Sequence, residues 1–88
     1  MTTIKNWNTQ ETIYTSDKET IKEAVQEAVE KDIDLSYADL YGANLSRADL
    51  TYADLTYADL TNTDLIRANL YGVQLDKNVD IRKLLNIK

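Results

Sequence analysis

The sequence predicts an all-β solenoid, a narrow square β-helix of slightly more than two coils, led by a β-hairpin and an α-helix and closed by a short C-terminal helix. Three observations predict it. Leucine recurs at every fifth residue, at Leu35, Leu40, Leu45, Leu50, Leu55, Leu60, Leu65, Leu70 and Leu75. Two residues before each leucine stands a small or apolar residue, Ala in six of the nine units. One residue before stands Asp, Asn or Gln. Neither an α-helix nor a flat strand holds every fifth side chain on one face, so the period excludes both.

The unit Ala-(Asp/Asn)-Leu-x-x sends two apolar side chains inward and three polar ones outward. A quarter turn per unit closes a square coil after four units, or about twenty residues, and coils stack through β-ladder bonds roughly 4.8 Å apart. The leucines fill the inside. The alanines are small because backbones crowd near the corners. Asp and Asn suit a corner because their short side chains accept from nearby backbone N–H groups. Gly42 and Gly72 occupy outer corner positions where a turn favours positive φ. A leucine-rich repeat needs a period of about 20–29, and a calcium β-roll needs many glycines per turn, where this chain has two.

The run YADLYGANLSRADLTYADLTYADLTNTDLIRANL resembles the pentapeptide-repeat family, with its A(D/N)LXX pattern, from about Ile33 to Asp76. The resemblance implies a right-handed quadrilateral β-helix. Thr63, Val73 and Gln74 depart from the pattern, and Val73 and Gln74 read as the fraying of the last coil.

The 88 residues divide into a hairpin (1–16), a capping helix (17–32), the repeats (33–77) and a C-terminal cap (78–88) within one domain. Ile4, Trp7, Ile13 and Tyr14 lie among β-favouring threonines, with Asn8-Thr9-Gln10 as the turn. Ser16 and Glu19 read as a capping box opening a helix over 17–31. Ile21, Ala24, Val25, Ala28 and Val29 make one apolar stripe, expected to lie across the open mouth of the first coil. Such leaders resemble those of other small pentapeptide-repeat proteins, some phage-borne. Ile81, Leu84 and Leu85 give a short C-terminal helix that serves either as a lid or as a lid and homodimer contact; in longer family members a C-terminal segment pairs two rods.

With no Cys and no His, the chain lacks a thiolate, a disulfide, the usual general base and the commonest metal ligands. A leucine-filled rod offers no desolvated cleft, so the expectation is no enzyme, no cofactor and no metal. No apolar run approaches the ~18 residues of a membrane span, and no signal peptide is evident, so the expected location is cytoplasmic. Net charge is −5. That balance disfavours direct binding to nucleic acid or an anionic membrane and favours a partner with a basic surface.

With twenty residues per coil, Asp34 is expected over Asp54, Asp39 over Asp59, Tyr37 over Tyr57 and Arg47 over Arg67, while Asn44 meets Asp64 and Asp49 meets Asn69. Two stacked carboxylates repel by on the order of 1 kcal/mol even in water. Arg47 and Arg67 are expected to pair locally with Asp49 and its neighbours. Two function classes follow. In the first, Asp34, Asp39, Asp49, Asp54, Asp59 and Asp64 form an acidic display. The resemblance to gyrase-protecting family members implies a DNA mimic, filling the basic DNA-binding groove of a topoisomerase or a defence nuclease. In the second, Tyr41, Tyr52 and Tyr71, with no tyrosine stacked on them, anchor an adaptor or structural module whose acidity serves solubility.

Overall fold

The computed structural model describes residues 1–77 and 79. Strand β1 (Thr2–Lys5) pairs antiparallel with β2 (Thr12–Ser16), Ile4 opposite Tyr14, with an irregularity after Ile4. The connecting turn is built on Asn6. Its side-chain Oδ1 accepts from the amides of Asn8 and Thr9, and its carbonyl accepts from Gln10, which takes a positive φ of 68°. Ile4 turns inward and is buried, whereas Trp7, just past the strand, is 42 % exposed.

Helix α1 covers Ile21–Glu30, four residues shorter at its start than the sequence reading. Its capping box is Thr20 with Glu23: the Thr20 Oγ1 accepts from the Glu23 amide at 3.2 Å and donates to the Glu23 carboxylate at 2.9 Å. The Ser16-Asp17-Lys18-Glu19 box does not form, because Ser16 is already committed as the buried last residue of β2, opposite Thr2. Its hydroxyl instead accepts from the Lys18 amide and holds the connection. Ala24, Val25 and Ala28 are buried on the predicted stripe, with Ile21 and Val29 at its margins.

From Leu35 to Leu70 each repeat leucine carbonyl accepts from the amide three residues later, as in Leu35 to Ala38 and Leu70 to Val73, closing a β-turn in each of these eight units. The residue between, two after each leucine, has positive φ at all eight corners: Tyr37, Gly42, Arg47, Tyr52, Tyr57, Asn62, Arg67 and Gly72, from 59° to 71°. A positive φ at the third residue alone is the signature of a type II turn. Between turns the chain pairs with itself in parallel at a constant offset of twenty residues, Asp39 with Asp59, Asn44 with Asp64, Asp49 with Asn69 and Asp54 with Gln74. The bridge and turn at Val73–Gln74 continue the ladder, so the repeat is not frayed there; a Gln is as good a backbone partner as an Asp.

Inside, Leu35, Leu40, Leu45, Leu50, Leu55 and Leu65 are at most 1 % exposed and form one apolar cluster with Ile4, Ala24, Val25 and Ala28. Each such leucine contributes about 1.5–3 kcal/mol relative to an exposed one. Thr63 replaces an inward alanine without penalty, since its hydroxyl donates to the Leu40 carbonyl at 2.8 Å.

The ladder begins with an edge whose amides and carbonyls need partners. The hairpin covers part of it: the Lys5 carbonyl accepts from the Asp39 amide at 2.7 Å, and the Trp7 amide donates to Tyr37 at 2.9 Å. The helix covers another part. Gln26 Oε1 accepts from the Asp49 amide at 2.9 Å, and Lys22 Nζ donates to the Ser46 carbonyl at 3.0 Å. The leader is thus both apolar lid and polar cap.

Among the described residues no helix is long and apolar enough to cross a membrane. The expected C-terminal helix and the dimer contact through Ile81, Leu84 and Leu85 lie outside the described residues.

Candidate interaction surface

The outer surface is laid out by the turns. In eight consecutive units, Asp34, Asp39, Asn44, Asp49, Asp54, Asp59, Asp64 and Asn69, the side-chain Oδ1 accepts from the amide two residues on, at 2.8–3.2 Å. This Asx turn locks the approach to each corner. The two asparagines make the bond at 3.1 Å, within the range of the six aspartates. One carboxylate oxygen therefore does the structural work, and the charge is additional to it. At Asp49 the Thr51 hydroxyl also donates to the same oxygen, and these two donors hold its carboxyl below the usual range.

The predicted acidic display is uneven. Asp34, Asp39 and Asp49 are exposed, whereas Asp54, Asp59 and Asp64 are half-buried. Asp39 and Asp59 are paired across the ladder as expected. Asp54 bridges Gln74, and no bridge joins Asp34 to Asp54 among the described residues. The windings are in register from the next corner on, where the Tyr37 amide donates to the Thr56 carbonyl at the same nineteen-residue offset as Gly42 to Thr61.

Tyr37 and Tyr57 stack with centroids 5.4 Å apart and planes at 27°. Trp7 continues that column at 6.0 Å from Tyr37, and its indole Nε1 donates to the Tyr57 carbonyl at 2.6 Å. Tyr41, Tyr52 and Tyr71 are exposed by 62 %, 67 % and 69 %. Tyr52 and Tyr71 are not solitary, as the register alone had indicated: they meet edge to face at 5.4 Å, with the Tyr52 ring lying over Gly72. Tyr41 accepts a long hydrogen bond from the Asn62 amide group.

Arg47 and Arg67 occupy one corner column, both at left-handed corners, and neither forms an ion pair among the described residues. The structure thus corrects the expected Arg–Asp pairing. The ion pairs among the described residues are Met1 N-terminus to Glu19 and Lys31 to Glu27. Glu27 also accepts from the Tyr14 hydroxyl, which together with Lys31 keeps its carboxyl below the usual range and ties helix to hairpin. Lys31 lies over the Tyr14 ring, 5.6 Å from its centroid, and its ammonium is pushed up chiefly by Tyr14.

Trp7 was not among the candidate site residues. Its sequence position, just past a strand end and beside a turn, reads as hairpin packing; only the winding, which brings Tyr57 fifty residues away to its ring, makes it part of an aromatic column. The six non-glycine left-handed corners were missed as well, although Asn62 at the position of Gly42 and Gly72 is a signal for positive φ.

Among the described residues no group of three carboxylate, His or Cys side chains could hold a metal ion. The arrangement offers recognition chemistry: oriented carboxylates, exposed phenol rings and one arginine corner.

The sequence pattern of the family described as pentapeptide repeats matches residues 31–65 and 43–77, in eight copies, together more than half of the chain. Pentapeptide repeats imply a right-handed β-helix, in keeping with the twenty-residue pairing offset and the inward leucines. No curated protein and no solved structure matches the chain. With a leucine core, an Asx turn in eight units and a family pattern that repeats eight times, this chain belongs to the pentapeptide-repeat family.

Proposed function

We propose that this pentapeptide-repeat chain, a right-handed quadrilateral β-helix with its leader as cap, is a non-catalytic protein-interaction module whose carboxylates imitate duplex DNA. Its partner is a protein with a basic DNA-binding groove, of the topoisomerase or nuclease type, and it acts by occupying that groove. One observation carries the reading: Asn44 and Asn69 make the same turn bond as the aspartates, yet six of eight units carry the charged residue. Turn geometry accounts for an Asx residue; it does not account for charge that must be held at ladder spacing.

One further feature supports it. Residues 33–75 hold six Asp against Arg47 and Arg67, and residues 1–32 hold seven acids against four lysines, so leader and repeats are both negative. The paired carboxylates occupy two successive windings roughly 4.8 Å apart, so the display covers only a few base-pair steps and suits a small target site or a second copy. The test replaces Asp34, Asp39, Asp49 and Asp64 with Asn together. Each substitution keeps the Oδ1 acceptor, so the fold is retained. Inhibition of a DNA topoisomerase or nuclease by the parent should fall steeply with salt and vanish in the variant. A folded variant that inhibits as well as the parent removes the proposal.

A second reading rests on Tyr41, Tyr52 and Tyr71, each more than 60 % exposed. An adaptor built on these rings would bind with little salt dependence and would lose binding on Tyr41→Ala or Tyr71→Ala but not on the Asp-to-Asn set.

A further inference from the structure

We infer that the groove beneath the Trp7–Tyr57 column takes a single cationic side chain, arginine or lysine, presented by the basic partner. The inference rests on the reading that the partner is basic, and adds where its charge is read. The groove measures about 580 Å³, within the usual range of a small-ligand site. Its walls include Trp7 and Tyr57, 42 % and 52 % exposed, together with Asp59 and Asp76. Both carboxylates are oriented by the backbone. Asp59 Oδ1 accepts from the Thr61 amide at 3.0 Å, and Asp76 Oδ1 accepts from the Tyr57 amide at 3.2 Å.

The Asp76 bond breaks the regular pattern. At the four preceding corners, Tyr37, Gly42, Arg47 and Tyr52, the amide two after the leucine donates to a backbone carbonyl nineteen residues on, as Tyr52 does to Tyr71; at Tyr57 a side-chain carboxylate takes that place. The chain thereby sets a charge at the foot of the aromatic column. Asp39, bridged to Asp59 though not itself lining the groove, adds a third charge on the same face. No lysine or arginine is among the described lining residues. The free arginine column, Arg47 and Arg67, lies ten residues from Tyr37 and Tyr57, half a winding away. Exposed π-faces beside oriented carboxylates suit a guanidinium or ammonium and disfavour an acidic or apolar side chain.

Trp7 is the only tryptophan, so its fluorescence and its one indole N–H resonance report on the groove in the full chain. The probe is the tripeptide acetyl-Gly-Arg-Gly-amide at low salt, with acetyl-Gly-Glu-Gly-amide as its control. A saturable change with the arginine peptide and none with the glutamate peptide is expected. Asp59→Asn and Asp76→Asn, which keep their Oδ1 acceptors, should each weaken binding about tenfold, the loss of one charge-assisted contact. Asp49→Asn and Asp64→Asn, on other faces, should leave it unchanged. Equal weakening by all four overturns the groove and leaves general acidity. A chain with no saturable response overturns it outright, as does an indole signal that shifts with protein concentration alone, which would assign the groove to a second copy. Arginine binding that appears only after Arg82→Gln and Lys83→Gln overturns it too, by assigning the groove to the chain's own C-terminal residues. Loss of enzyme inhibition in the Asp34, Asp39, Asp49 and Asp64 variant without any peptide binding leaves DNA mimicry standing alone, and peptide binding without inhibition leaves the groove standing without that target.

Discussion

Alanine substitutions at the two glycine corners separate what the backbone requires from what the outer surface requires. Gly42 and Gly72 have nearly the same φ, 67° and 71°. A Cβ at either position pays about 1–2 kcal/mol for the left-handed conformation and recovers roughly 0.4–1 kcal/mol from a less flexible unfolded chain. Gly42→Ala should therefore destabilise by about 0–1.6 kcal/mol and no more, because its Cβ meets nothing within 4 Å. A Cβ at residue 72 lies 2.4 Å from Tyr52 Cδ1 and 2.6 Å from Cε1, well inside contact. Tyr52 is 67 % exposed and can swing into solvent, so the clash is relieved by losing its edge-to-face contact with Tyr71. That contact is worth about 0.5–1.5 kcal/mol. In a chain of this size each kcal/mol moves the melting temperature by about 4–8 °C, which puts Gly72→Ala about 2–12 °C below Gly42→Ala. In a Tyr52→Ala background the gap between the two should close to within about 0.3 kcal/mol, the usual error of additivity. Thermal and urea unfolding of the five chains measures all of this. Equal melting of the two single variants would show that Tyr52 does not lean on Gly72. A gap that survives Tyr52→Ala would place the strain in the backbone and refute the side-chain account.

Leu55→Ala removes a fully buried side chain at the middle of the ladder and should destabilise by about 2–5 kcal/mol in urea titration; parent-like unfolding would contradict the inward leucine core. Arg67→Asn places a residue tolerant of positive φ at a corner of 62° and should raise the melting temperature by a few degrees, about 1 kcal/mol at most, read by calorimetry. The carboxyl of Glu27 is lowered by the Tyr14 hydroxyl, so the folded state holds this proton less tightly than the unfolded one. Its contribution is present above the unfolded value of about 4.3 and is lost as pH falls through the lower folded value; melting temperature against pH should bend downward below that point, and Tyr14→Phe should flatten this part of the curve.

The repeat was legible because its period is a geometric constraint that each unit satisfies locally. Leu35 to Leu65 went inside, the Asx side chains bonded the amides two residues on, and residues twenty apart became neighbours. The leader was legible in kind but not in register. The helix start moved from Ser16 to Thr20 because two capping boxes overlap, Ser16 with Glu19 and Thr20 with Glu23, and the strand pairing of Ser16 with Thr2 chose between them. A contact across fourteen residues cannot be read from the four residues of a box. The same limit hid Trp7, whose partner ring and carbonyl come from Tyr37 and Tyr57. It also hid the Tyr52–Tyr71 pair, since these rings stand on adjacent rather than equivalent positions of successive windings.

Two kinds of position carry more than the fold asks of them. Left-handed corners favour Gly or Asn, yet Tyr37, Tyr52 and Tyr57 and Arg47 and Arg67 occupy five of the eight. For the tyrosines, stacking and edge contacts return some of what the backbone loses. For Arg47 and Arg67, no side-chain hydrogen bond, ion pair or ring contact among the described residues does so, and each retains a strain on the order of 1 kcal/mol. The aspartates present the same imbalance from the other side: Asn suffices for the turn, and Asp adds repulsion across the Asp39–Asp59 bridge without adding a backbone bond. Local rules broken without internal compensation mark where a surface answers to something outside the molecule. Here the two arginines share one corner column, with the exposed Asp49 two residues after Arg47, while the like-charged Asp39–Asp59 bridge lies on the opposite face, next to the aromatic column. The strain at the arginine corners and the repulsion at that bridge are therefore two separate departures from what the coil requires, on two different faces.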